Sequence, residues 1–158
     1  MSEYNIGFGD KLIAAAKFVS DEGLESEDAK RTVLYLCKLA SEISLKALLE
    51  KTGKSVKEIS SCRHDLSGLL RELGKCSIEK EIAVGVFERQ RASVIRAIPV
   101  YGNTTVENIL ESEKHGASKY PNEIRYGSTV RDYPPEIWLK TATAVVEWAH
   151  KYWDTIRA

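Results

Sequence analysis

From Ser26 to Gly53 the chain carries a hydrophobic stripe that only an α-helix can gather onto one side. Val33, Leu36, Cys37, Ala40, Ile43, Ala47 and Leu48 recur at steps of three and four. Leu34, Leu39, Leu45 and Leu49 widen the stripe beyond what a surface helix needs. The helix is therefore predicted to lie at the centre of the fold, touched on more than one side. Ser26 is a good N-cap, and Glu27 and Asp28 place negative charge on the first turn, where the helix dipole favours it. Thr52-Gly53 ends the run.

Other segments follow the same period. Leu12, Ile13, Ala16 and Val19 predict a helix over 10–20, closed near Gly23. Pro134-Pro135 opens a last helix whose stripe is Trp138, Ala142, Val145, Ala149, Tyr152 and Ile156. Ser55 with Glu58, and Thr104 with Glu107, match capping boxes. Leu66, Leu69, Leu70 and Leu73 predict a helix from His64 to Leu73 that stops at Gly74. Ile82, Val84 and Val86 alternate as a strand would, but 89–98 has helical character, and the stretch 76–101 is read as helical. Residues 116–133 are polar, hold Gly116, Pro121 and Gly127, and read as a loop. The expected fold is all-α, one domain over 1–158, built as an antiparallel bundle of four to six helices.

Composition narrows the function. Lys plus Arg and Asp plus Glu are both 23, so the phosphate attraction that drives duplex-DNA binding is weak. Three cysteines, Cys37, Cys62 and Cys76, form no CxxC pair, so neither a disulfide framework nor a metal site is expected. No P-loop, GxGxxG, HExxH or GxSxG pattern occurs, and no cofactor is expected. No apolar stretch has the length of a bilayer span, and 1–10 has no signal-peptide pattern, so the expectation is a cytoplasmic chain without membrane contact.

Three short motifs stand in order along the chain: Leu45-Lys46-Ala47-Leu48-Leu49, then His64-Asp65-Leu66 followed by Leu69-Leu70, then Arg125-Tyr126-Gly127 before the last helix. Together they resemble the HEPN family of small prokaryotic helical bundles, over roughly the segment 25–153. The resemblance implies a homodimer in a toxin–antitoxin or defence setting, with a nucleotidyltransferase-type antitoxin or another protein as partner and RNA as a ligand. Active members are metal-independent ribonucleases that place a histidine four to six residues after an arginine. No histidine stands at that distance after Arg96, Arg125 or Arg131. The departure implies an interaction module that binds a partner protein, RNA or a nucleotide rather than an enzyme. A divergent ribonuclease remains the alternative, with its catalytic residues unassigned, and a helical scaffold unrelated to the family is a third reading.

Arg125, Tyr126 and Arg131 could hold a phosphate and stack a base, or could pair with a carboxylate and fill the end of the bundle. His64 with Arg63 could touch a phosphate or move a proton; alternatively His64 and Asp65 cap a helix start. Arg89, Arg91 and Arg96 read more naturally as a solvated face. Trp138, Trp148 and Trp153 cannot share one helix face, so either one of them meets solvent or an interface, or the last helix is buried all round.

Overall fold

The computed structural model describes residues 2–158, which are mostly helical with two small two-stranded sheets. Helix α1 (Ile6–Glu22) begins before Asp10, because the Asn5 side chain caps it by accepting the Gly7 N–H at 2.7 Å. Helix α2 (Glu27–Lys51) has its predicted cap, with Ser26 Oγ accepting from the Ala29 N–H. The two pack closely at Gly9, where a Cβ atom would stand 2.7 Å from Ser44 Oγ. Helix α7 (Pro135–Tyr152) completes the central trio. Val33, Leu45, Leu48, Trp138, Val145 and Ala149 are buried in one continuous core. Each large apolar side chain fully buried there contributes about 1.5–3 kcal/mol.

The directions of these helices correct the simple antiparallel bundle. Glu50, at the end of α2, accepts the backbone N–H groups of Glu3 and Tyr4, so α1 and α2 are antiparallel. His150 near the end of α7 meets Asp10 near the start of α1 at 2.8 Å, so those two are antiparallel as well. Helices α2 and α7 therefore run parallel: Lys38 lies over Trp138, and Lys51 over Trp153. Short loops enforce antiparallel neighbours, but the long crossing from 52 to 134 imposes no such constraint. Trp138 and Trp148 are buried, and Trp153 is partly so, packed at the end of the core.

The mostly helical chain agrees with the all-α expectation in outline, and the crossing adds two small sheets to it. Helices α3 (Val56–Ser60) and α4 (Leu66–Gly74) form where their capping signals stand, with α4 starting two residues after His64 because Asp65 is its cap. Then β1 (Ser77–Ala83) and β2 (Val86–Arg91) make an antiparallel hairpin turned by Val84-Gly85, with Gly85 at φ +73°. Only Ile78 of the hairpin is fully buried, so no helical stripe marks the segment; the alternation at 82, 84 and 86 straddles the turn, and all three side chains are exposed. Opposite charges face each other across it, Glu79 with Arg89 and Lys80 with Glu88. Its base is fastened by paired backbone bonds between Ser77 and Arg157. A 3₁₀ segment, Ala92–Ala97, leads to a second small sheet, β3 (Pro99–Tyr101) with β4 (Thr104–Thr105). Helix α5 (Val106–Leu110) is capped by Thr105 with Asn108, one residue later than the predicted box. The loop expected over 116–133 contains a short helix, α6 (Asn122–Tyr126). No helix among the described residues is long and apolar enough to cross a membrane.

The cysteines are free thiols in unequal environments. Burial pushes the Cys37 thiol up to about 12, and Cys76 is raised for the same reason. Cys62 is only half-buried. A thiolate-selective reagent such as Ellman's is expected to titrate Cys62 alone in the native protein and all three thiols in denaturant. Rapid native reaction of Cys37, read by peptide mapping, would overturn this burial pattern.

Candidate phosphate-binding site on the polar seam of the central helix

Within the apolar α2, Tyr35, Lys38, Glu42 and Lys46 recur at steps of three and four and form a polar seam. Lys38, Glu42 and Lys46 are buried. Charged groups withdrawn from water need partners, and the crossing segment supplies them. Seam and partners together form two clusters.

The first cluster gathers on Glu42. Its carboxylate accepts from Lys46 Nζ at 2.7 Å, from the Tyr120 hydroxyl at 2.7 Å and from His64 Nδ1 at 3.1 Å. Burial, and then the Glu42 charge beside it, raise the Tyr120 phenol far above its ordinary value, so it stays a donor. The His64 ring stands edge-on to Tyr120, with 5.8 Å between centroids. Its side chain is 51% exposed, so one edge is anchored in the protein while the other faces solvent. With Nδ1–H bound to Glu42, Nε2 carries the free lone pair when the ring is neutral. His64 is thus no helix cap; Asp65 alone performs that role, accepting the Gly68 N–H at 2.9 Å. The preceding residue, Arg63, holds a left-handed backbone at φ 51°, which costs an L-residue roughly 1–2 kcal/mol.

His64 and Arg63 line a groove of about 460 Å³ whose far wall is Lys119, Tyr120 and Pro121. Three acids also reach it, and each serves a backbone amide: Asp65 accepts the Gly68 N–H at 2.9 Å, Glu113 the Tyr120 N–H at 2.6 Å, and Glu123 the Lys119 N–H at 2.8 Å. Arg63 and Lys119 have no side-chain ion pair among the described residues.

The groove leads towards Arg125 through aromatic rings. Tyr120 and Tyr35 lie 5.9 Å apart, and the Arg125 guanidinium sits 5.0 Å from the Tyr35 ring while donating to its hydroxyl. That bond raises the guanidinium's pKa and keeps it charged. Arg125 therefore pairs with a phenol, not with a carboxylate, and Tyr126 is 79% exposed and fills no end of the bundle. Arg31 of α2 fastens α6 in place by donating to the carbonyls of Arg125 and Gly127.

The second cluster is a lock. Lys38 Nζ lies 2.5 Å from Asp132 and 4.6 Å from the Trp138 ring centroid, and the Trp138 indole N–H donates to the same carboxylate at 2.6 Å. Both charged side chains are buried, at 1% and 0% exposure. The pair pins the 127–134 loop to α2 and α7. Arg131, next to Asp132, stands exposed on a different groove from His64.

The five residues expected from the sequence thus separate. Arg63 and His64 share one groove, Arg125 reaches the same cluster through Tyr35, Tyr126 projects outward, and Arg131 belongs elsewhere. Glu42, Tyr120, Tyr35 and Lys46 were missed. The available signal was a set of polar residues in helical register inside an otherwise apolar helix. Of the exposed-face basic cluster, Arg89 pairs with Glu79 and Arg96 with Glu107. Among the described residues no three potential ligands gather as a metal site. In comparisons with protein-family models, with curated proteins and with solved structures, nothing matches this chain.

Proposed function

We propose that this chain is a HEPN-like helical module that binds an RNA or nucleotide phosphate at the His64 groove. The observation that carries this reading is the imidazole fastened to Glu42 at one edge, with Arg63 and Lys119 on the rim. Two exposed cationic side chains beside an imidazole offer charged donors to a phosphate. The family reading gains support because its three motif segments, far apart in sequence, meet around one cluster: Lys46 and His64 on Glu42, and Arg125 by way of Tyr35 and Tyr120. In this reading the protein works in the cytoplasm as a dimer, with a nucleotidyltransferase-type antitoxin or another protein as its partner, in toxin–antitoxin or defence biology.

Short single-stranded RNA is expected to bind with an affinity that falls as salt rises. His64→Gln and Arg63→Ala are each expected to weaken it on the order of tenfold, the effect of one charge-assisted bond. Unchanged affinity in both variants, by fluorescence anisotropy, would remove the groove from the reading.

The Glu42–His64 pair also favours a second reading, a metal-independent ribonuclease. Nε2 would take the proton of a ribose 2′-hydroxyl as its oxygen bonds to the adjacent phosphorus, and the 5′-oxygen would leave with a proton from water. Cleavage in the presence of a chelator, leaving cyclic phosphate ends and lost in His64→Gln, would place this reading first. RNA left intact would sink it.

A further inference from the structure

We infer that the chain has a second anion site, in the groove between the 112–117 turn and the 131–134 loop, built for a phosphate monoester. The groove is about 350 Å³, within the range of small-molecule sites. Arg131 and His115 line it, although sixteen positions in sequence, from 115 to 131, keep them outside any short motif. Both are exposed, and neither side chain has a hydrogen bond or ion pair among the described residues. The cation next to His115 in sequence is already used: Lys114 pairs with Glu111.

The third component is Ser112. It is 3% exposed and part of the groove wall, and its Oγ has no hydrogen-bond partner among the described residues. A buried hydroxyl left unpartnered costs stability; this one is sealed from solvent as it stands, and turning about its Cα–Cβ bond would bring it to a ligand oxygen. Asp132 also reaches the wall, and a lone carboxylate there would repel a phosphate. Its charge is offset by Lys38 at 2.5 Å, with the Trp138 N–H on the other oxygen. A guanidinium fork, an imidazole N–H and a hydroxyl are three donor groups on one groove, one for each terminal oxygen of a monoester, which carries nearly two charges near neutral pH. A diester has only two such oxygens and one charge. Tyr133, on the same wall, offers a face to a ring attached to the phosphate.

This proposal does not depend on the His64 groove, and the test separates them. Methyl phosphate, dimethyl phosphate, ribose 5-phosphate and adenosine 5′-phosphate would each be titrated into the full chain and followed by NMR. Methyl phosphate is expected to shift the His115 ring signals and to bind at least about tenfold more tightly than dimethyl phosphate. Arg131→Gln and His115→Gln are each expected to weaken it on the order of tenfold. Ser112→Ala is expected to weaken it while leaving the melting temperature unchanged or raised, which a merely structural serine would not do. If Tyr133 receives the ring, adenosine 5′-phosphate binds more tightly than ribose 5-phosphate and Tyr133→Ala removes the difference; equal binding assigns the site to the phosphoryl group alone. Equal affinity for the mono- and diester, no loss in the Arg131 and His115 variants, or shifts confined to His64 would each overturn the proposal.

Discussion

Asp132→Ala is expected to lower the unfolding free energy by about 3–5 kcal/mol, the cost of leaving a buried charge without its partner. Lys38 would remain 1% exposed against the Trp138 face with no anion to offset its ammonium, and the indole N–H would lose its acceptor. The pair itself is not a stability reserve, since burying two charges offsets most of their attraction. Lys38→Met combined with Asp132→Asn tests this. The methionine fills the lysine's space, and the asparagine carbonyl still accepts the Trp138 N–H. The double variant is expected to recover most of the loss in urea denaturation. A double variant as unstable as Asp132→Ala would show that the charge pair is itself stabilising. An Asp132→Ala variant within about 0.5 kcal/mol of wild type, the range of an ordinary surface substitution, would mean that the loop is not locked.

Glu42→Leu carries the second large effect. One carboxylate serves three donors, so the substitution strands Lys46 Nζ and the Tyr120 hydroxyl inside the protein and releases His64. A loss of about 3 kcal/mol or more is expected, because a buried ammonium loses its counter-charge. Glu42→Gln is expected to lose less stability, since its carbonyl can still accept from one donor. Both variants are expected to weaken RNA as much as His64→Gln does, because the imidazole would no longer be held towards the groove. Full RNA affinity in Glu42→Gln would separate His64 from the ligand.

Legibility followed burial pattern. The Ser26-capped central helix and the proline-opened last helix were readable because their apolar residues face one core in helical register. The hairpin was not, because a two-stranded ribbon exposed on both faces buries almost none of its side chains. The parallel course of α2 and α7 was hidden for another reason: helix direction is set by the path of a long crossing, which carries no periodicity. At the site, Arg63, His64 and Arg125 were readable as residue types, but the carboxylate that organises them was not. Glu42 sits among apolar neighbours twenty-two positions from His64 and seventy-eight from Tyr120, distances that only the fold closes. Separation also masked Arg131 and His115, which lie on one groove although no short spacing joins them.

The orientation of one ring underlies the proposed role of the groove. Long-range proton–nitrogen NMR of the His64 imidazole reads which nitrogen bears the hydrogen in the neutral ring. The Glu42 contact predicts the Nδ1–H form, with an Nε2 signal that moves when single-stranded RNA is added. An Nε2–H ring, or an Nε2 signal indifferent to saturating RNA, would contradict it.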